Sequence, residues 1–146
     1  MIETGLKAGD IFTWENYPLS MDVLKSRWFL YLGNRAMDAV VYQITTTTQL
    51  QHYAEGGNRA KHNHFKIPVG IGGLERESVL DLRMFEEIPE SLINEHKADI
   101  EKKGSLNQDY ANKFVNHLKR DRHILTVIKK DICRYLVEAG FKIKPI

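Results

Sequence analysis

The hydrophobic pattern changes its period near Pro89, and this change constrains the fold more than any other feature of the chain. Before about Asp81, short apolar and β-branched runs are separated by glycine turns, which is typical of strands. From Pro89 onward, apolar residues recur at helical spacing up to Gly140. A chain of 146 residues is long enough for one hydrophobic core. The sequence therefore predicts an α+β fold, with strands in residues 1–90 and a helical extension in 91–146.

The strand candidates are short and lie close together. They are GDIFTW, WFLYL, AVVYQI, FKIPV and SVLDL. Short strands at this spacing, with turn residues between them, predict a small and strongly twisted β-barrel. A helix is predicted from Pro89 to Gly104, and two more helical segments follow it.

Composition excludes several classes of protein. The apolar fraction of 42% and the charged fraction of 27% are those of a globular protein. No apolar run approaches the roughly eighteen residues that span a bilayer, and MIETGLKAGD lacks the pattern of a signal peptide. We therefore expect a cytoplasmic protein without a membrane segment. Cys133 is the single cysteine and no Cys/His spacing fits zinc, so neither a disulfide nor a metal or other cofactor is predicted.

Positive charge is concentrated in the second half. The net charge is only +2, but residues 113–134 contain seven Lys or Arg against Asp121 and Asp131. Such a basic helical face could contact RNA, an acidic protein or only water.

Residues 25–49 form a predicted hairpin with an arginine at one end and threonines at the other. Antiparallel partners meet in reverse order, so Arg27 should lie beside Thr46, Thr47 and Thr48. A guanidinium with hydroxyls beside it suits a phosphate. Arginine and threonine are also ordinary surface residues at strand ends, and that alternative stays open.

A second candidate group lies in NRAKHNHFKIP. His62 and His64 flank Asn63, so both point to the same side if the strand has begun there. Histidine titrates near neutrality and is the usual acid–base residue. The alternative is that both are solvated loop histidines beside Arg59 and Lys61.

Four segments together resemble the MazF/PemK (Kid-like) toxins of bacterial toxin–antitoxin systems. They are KAGDIFTWENYP, KSRWFLYLG, VVYQITTTTQ and LERESVLDLRMFEEI, and the similarity covers about residues 7–93. The resemblance implies an SH3-like barrel, usually a homodimer, that cleaves single-stranded RNA without a metal. It also implies an antitoxin protein as a partner.

The resemblance assigns roles to individual residues. Arg27 and Thr47 fall where the family carries its catalytic arginine and threonine, and the ribose 2′-OH would attack the adjacent phosphate. We predict RNA contacts from six further residues. These are Lys25, Thr48, Lys61, His62, His64 and Arg83.

Two positions depart from the family pattern. Trp28 follows the arginine where the family usually has proline, and Arg83-Met84 stands where many members have Asp-Gln, with the acid at Asp81 instead. The second departure indicates a shifted mechanism, another RNA preference or lost activity. The alternative functions are therefore a non-catalytic RNA- or protein-binding module on the same barrel, or an interaction module that works through the helical tail.

Overall fold

The structure, a computed structural model, describes residues 4–19, 26–46 and 52–145. One antiparallel sheet of six strands forms its centre. The strands are β1 (Asp10–Trp14), β2 (Arg27–Arg35), β3 (Asp38–Thr46), β4 (His64–Ile67), β5 (Ser78–Pro89) and β6 (Ile100–Ser105). Their order across the sheet is β4-β5-β3-β2-β1-β6, and within the described ranges no strand pairing joins β4 to β6. The sheet is therefore open at both edges.

Three α-helices accompany the sheet, so the predicted α+β class is confirmed. They are α1 (Glu90–Glu95), α2 (Gln108–Arg120) and α3 (Thr126–Glu138). The side chain of Asn107 caps α2 by accepting a hydrogen bond from the Tyr110 N–H, and α3 ends just before Gly140, which has a φ of 106°. No helix in the described part of the chain is both long and apolar enough to cross a bilayer.

The helix predicted from Pro89 to Gly104 is wrong beyond Glu95. After α1 the chain makes a 3-10 turn at Lys97–Asp99 and then enters β6, so the 91–146 segment is not purely helical. The reason lies in β1, whose five residues are all buried. β2 pairs with only one of the two edges of β1. The remaining backbone groups of β1 need partners, and β6 supplies them by pairing antiparallel with it.

Two predicted strands have different lengths from those expected. β4 ends at Ile67 because Pro68 has no N–H to donate to a further ladder bond. β5 continues past the predicted SVLDL segment to Pro89, since its second half pairs with β3 as far as Asp38. Pairing with a neighbouring strand thus decides the extent of both strands.

The sheet carries a different core on each face. On one side, which we call the helix side, α2 and α3 pack on the sheet through residues that include Phe114, Leu118 and Ile132. On the other side, which we call the aromatic side, rings from β1, β2 and the 15–19 segment pack together. Phe12 stacks on Phe29 with ring centroids 5.3 Å apart, and Tyr17 meets Phe29 edge-on at 5.0 Å.

The chain after β4 brings the two edges of the sheet close together. The 3-10 turn at Ile71–Gly73 packs against β6, where a Cβ added at Gly104 would lie 2.6 Å from the carbonyl carbon of Gly72. No side chain fits between the two backbones. Glycine at position 104 is therefore required by the close approach and not by its own φ.

We predict that Gly104→Ala lowers the free energy of unfolding by about 2 kcal/mol, because the new methyl group would force two backbones apart. Urea unfolding measures this change. Gly56→Ala is the matched control: a Cβ there meets nothing within 4 Å, and only the strain of a φ of 84° remains. Equal losses in the two variants would contradict the close-packing explanation.

Candidate active site

A fully buried carboxylate lies at the centre of the candidate site. Asp81 is in β5, and its side chain is 0% exposed. Its Oδ2 accepts hydrogen bonds from Tyr53 Oη and His62 Nδ1, both at 2.8 Å, and its Oδ1 accepts one from the Arg83 N–H at 2.9 Å. Removing a charge from water is costly unless such partners replace the water. Asp81 is thus a fixed acceptor held from three directions.

The sheet turns Asp81 toward the aromatic side. Leu80 and Leu82 belong to the helix-side core, so the residue between them points to the opposite face. The β3–β5 pairing is irregular at this point, since Ile44 pairs with Leu80 but Tyr42 pairs with Phe85. The extra residues of β5 form a bulge, and bulges redirect side chains and free backbone donors. This bulge allows the Arg83 N–H to bond the side chain of Asp81.

The bond to Asp81 sets the tautomer of His62. A carboxylate oxygen only accepts, so Nδ1 carries the ring proton and Nε2 is the acceptor of the neutral ring. The side chain of His62 is 22% exposed, in contrast to that of Asp81. A carboxylate that orients a histidine in this way is the usual support of a general base.

His64 is held on the same side of the sheet. It lies directly opposite Asp81 in the β4–β5 pairing, and its Nδ1 donates to the carbonyl oxygen of His62 at 2.5 Å. The ring centroid of Tyr53 is 4.8 Å from that of His64 and 6.5 Å from that of His62. Both histidines therefore lie beside one tyrosine, although β4 begins only at His64, so His62 precedes the strand and alternation along a strand does not explain its position.

Asn63 points the other way and joins this loop to α2. Its Nδ2 donates to the carbonyl oxygen of His117 at 2.7 Å, and His117 Nδ1 donates to its Oδ1 at 2.8 Å. Its own carbonyl oxygen accepts from the Leu82 N–H at 2.9 Å, which extends the strand pairing beyond β4. The two hydrogen bonds between Asn63 and His117 hold this segment on the α2 side of the sheet edge. On the other side, His62 and His64 lie beside Tyr53.

His117 is neutral at pH 7. Burial lowers its pKa, and the positive charges of Arg120 and Lys113 and the nearby His64 lower it further, to about 4. Its ring stacks on Phe65 with centroids 4.8 Å apart, and Arg120 Nη2 lies 3.1 Å from its Nδ1. The neutral ring can donate from Nδ1 to Asn63 without adding a charge beside the other histidines.

Tyr53 remains protonated and acts as a donor. Burial raises the pKa of its hydroxyl, and the hydrogen bond to Asp81 raises it further, while hydrogen bonds with Arg59 and Thr45 oppose this rise. The guanidinium carbon of Arg59 also lies 5.9 Å from the centre of the Tyr53 ring. Thr45 is buried near the end of β3, so Tyr53 links the histidine loop to the strand that leads into the threonine run.

Arg27 occupies the start of β2, on the same face as Asp81. It pairs with Trp14 across the β1–β2 ladder and precedes Phe29 of the aromatic side by two residues. Its charge lowers the pKa values of Tyr17 and Glu86, both of which burial raises. Only β3 separates β2 from β5, so the backbones that carry Arg27 and Asp81 are about 10 Å apart across the sheet.

The other predicted contact residues divide into two groups. Lys61 and Arg83 are exposed, and Arg83 enters the site through its backbone N–H. Lys25, Thr47 and Thr48 lie outside the described residues. The pairing of Trp28 with Ile44 brings the start of β2 to the end of β3, as the predicted hairpin requires, and the Arg27–Thr47 contact itself stays a prediction.

Sequence reasoning missed four residues that build the site: Tyr53, Asn63, Asp81 and His117. A signal existed for Asp81, because an acid in the apolar run SVLDL must either break the strand or find buried partners. His117 gave no such signal, since its contact with Asn63 joins residues 54 apart in the chain.

Comparison with known proteins does not identify the chain, and the described residues offer no metal site. No family model matches the chain, and no curated protein is significantly similar to it. In the described part of the chain, no group of three or more His, Cys, Asp or Glu residues is arranged to hold a metal ion. The arrangement of Asp81, Tyr53, His62 and His64 therefore carries the functional assignment.

We predict that stability falls between pH 6.5 and 4 because of His117. In that window His117 binds a proton in the unfolded chain but stays neutral in the folded protein. The free energy of unfolding therefore decreases as the pH falls. From pH 7 to 5 the decrease should be about 1 kcal/mol, because solvent screens part of the effect at a partly exposed ring. Urea unfolding at both pH values tests this.

The comparison variant is His117→Asn, which removes the titrating ring and should flatten the pH dependence. His123→Asn, which removes an exposed histidine of the loop between α2 and α3, should leave the dependence close to that of the parent protein. An unchanged dependence in the His117 variant would show that this ring is not responsible.

Proposed function

We propose that this protein is a metal-independent endoribonuclease of the MazF/PemK type that cleaves single-stranded RNA by attack of the ribose 2′-OH. The observation that carries the proposal is the pair of histidines against Tyr53, with His62 oriented by the buried Asp81. Such cleavage needs a base on one side of the phosphate and an acid on the other. His62, just before β4, and His64, at its start, are the two groups proposed for these roles.

The proposed step conserves atoms and charge. His62 Nε2 takes the proton of the 2′-OH while O2′ forms a bond to phosphorus. The bond from phosphorus to O5′ breaks, and His64, entering in its protonated form, gives its Nε2 proton to that oxygen. The products are a 2′,3′-cyclic phosphate and a 5′-OH. Each ring keeps its Nδ1 proton throughout, because Asp81 and the carbonyl oxygen of His62 hold it.

Arg27 is proposed to stabilise the extra negative charge on the phosphoryl oxygens, with Thr47 beside it. A guanidinium binds two such oxygens at once, which a single ammonium group does not. This keeps the roles that the family resemblance gives to Arg27 and Thr47 and adds an acid–base pair to them. Asp81 then replaces, as a histidine partner, the acid that many family members carry two residues later.

The remaining parts of the proposal rest on the resemblance. We propose that residues 1–90 correspond to the SH3-like barrel of that family, and the five antiparallel strands β1 to β5 support this. Residues 91–146 are the extension, and they add β6 to the sheet. A homodimer, a cytoplasmic location and an antitoxin partner complete the toxin assignment.

Binding of RNA without cleavage is the second candidate function. Arg83 favours it, since an exposed cation stands at the position where many family members have an acid. A cation there would hold RNA by its phosphates and add affinity that depends strongly on salt.

We predict that His62→Ala lowers the rate of RNA cleavage by about 10²-fold or more, because the base is removed while the phosphate contacts remain. The assay incubates purified protein with a long single-stranded RNA in EDTA and maps the fragment ends. His123→Ala is the matched control and should cleave like the parent protein. Products with cyclic phosphate ends that appear equally with His62→Ala would exclude His62 as the base.

We predict a graded loss at Arg27. Arg27→Lys keeps the charge but loses the two-pronged contact, and should reduce kcat by about 10-fold, whereas Arg27→Ala should reduce it by about 10²-fold. Unfolding curves of both variants establish that the fold is retained, and Arg122→Ala removes an exposed arginine as control. A lysine variant that matches the parent in kcat would contradict the phosphate role.

A further inference from the structure

One face of α2 carries cations that lack carboxylate partners. The cations are Lys113 and Arg120, which are spaced i and i+7 with the neutral His117 at i+4 between them, so all three lie along a single side of the helix. Lys113 Nζ lies 5.8 Å from the centre of the Phe65 ring, and Arg120 Nη2 lies 3.1 Å from His117. Both cations are exposed. This side of α2 therefore borders the edge strand β4.

Some cations elsewhere on the surface form ion pairs, whereas others, such as Lys130 and Lys144, form none within the described ranges. Ion pairs join Arg35 to Asp131, Lys66 to Glu77, Lys102 to Asp10 and Lys103 to Glu101. Within the described ranges, neither Lys113 nor Arg120 makes an ion pair with a carboxylate. The same is true of Arg59, Lys61 and Arg83 around the histidine loop. Uncompensated positive charge is thus present on both parts of this surface, around the histidine loop and along α2.

The two parts of this surface are continuous. His64 contacts Tyr53 on one side of the β4 edge, and its proximity to His117 lowers the pKa of the latter on the other side. Asn63 bridges the two directly. A chain that leaves the scissile phosphate near His62 and His64 would cross the β4 edge and reach Lys113 and Arg120.

Aromatic rings accompany these cations. Tyr110 is partly exposed and its ring centre lies 5.6 Å from Lys113 Nζ. Cations interleaved with an accessible ring are the usual surface for single-stranded nucleic acid, where phosphates meet the charges and a base stacks on the ring. Asp109, one turn before Lys113, marks the end of the basic face.

We infer that the α2 face of Tyr110, Lys113 and Arg120 binds the backbone of single-stranded RNA beyond the cleaved phosphate. This inference rests on the proposed ribonuclease function and gives part of the helical extension a role in substrate binding. Lys113 and Arg120 are two turns apart, about 10 Å along the helix, so they bind separate phosphates. The face determines affinity for long substrates.

The test compares Lys113→Gln/Arg120→Gln with Lys130→Gln/Lys144→Gln, a control that removes two exposed lysines elsewhere. The substrates are a dinucleotide and a single-stranded RNA of about twenty nucleotides. In the first variant, the ratio of kcat/KM for long RNA to that for the dinucleotide should fall about tenfold. The slope of log(kcat/KM) against log salt should decrease by about 1.4, or 0.7 for each phosphate that the variant no longer binds. The control should keep the ratio and the slope of the parent.

Binding separates failure of this inference from failure of the proposed function. The same substitutions are placed in the His62→Ala protein, and the Kd for uncut RNA is measured at two salt concentrations. If the parent protein cleaves no RNA, the proposed nuclease function is wrong. If the α2 substitutions still weaken RNA binding in that case, the inference about the α2 face is supported. Cleavage with an unchanged ratio and Kd overturns the α2 face. Competition by poly-glutamate at equal affinity also overturns it, since the face would then bind any polyanion without preference for RNA.

Discussion

The buried carboxylate of Asp81 is the interaction on which the candidate site depends. It ties β5, through the bulge that exposes the Arg83 N–H, to a loop that contributes Tyr53 and His62. Breaking up such a group by removing one partner is expensive, since a charge would stay buried without compensation. Because losing the hydrogen bond to His62 would leave the charge of Asp81 poorly compensated, this bond also keeps the His62 ring in a single orientation. Stability and the geometry of the site are therefore set by one group.

The two faces of the sheet serve different purposes. The helix side is packed with aliphatic residues and Phe114 under α2 and α3, and supplies most of the apolar burial. The aromatic side is smaller, and beside its rings are the polar groups that continue toward Arg27 and Asp81. A sheet with one strongly packed face can leave the other open to solvent and to ligands. The candidate site lies where the aromatic packing ends.

The sequence predicted those parts of the molecule that local patterns determine. Alternation and turn residues located most of the strands, and helical spacing located α2 and α3, because these features depend on neighbours within a few residues. β6 was missed because IEKKGS has little strand character, and it forms a strand only to complete β1. Alternation predicted one side for His62 and His64 on the condition that the strand includes both, but β4 begins at His64. Their partners could not be predicted, since Asp81 and His117 approach them only through the fold.

The contact between Asn63 and His117 has a consequence for the order in which the protein is made. The ribosome releases the histidine loop and β5 well before α2, because residues 63 and 117 are 54 positions apart. Domains fold during synthesis as their parts emerge, and contacts this distant form late. The loop is thus anchored on its second side only when α2 has left the exit tunnel. Under the proposed function, a nascent ribonuclease built in this way stays incomplete until α2 has emerged from the ribosome.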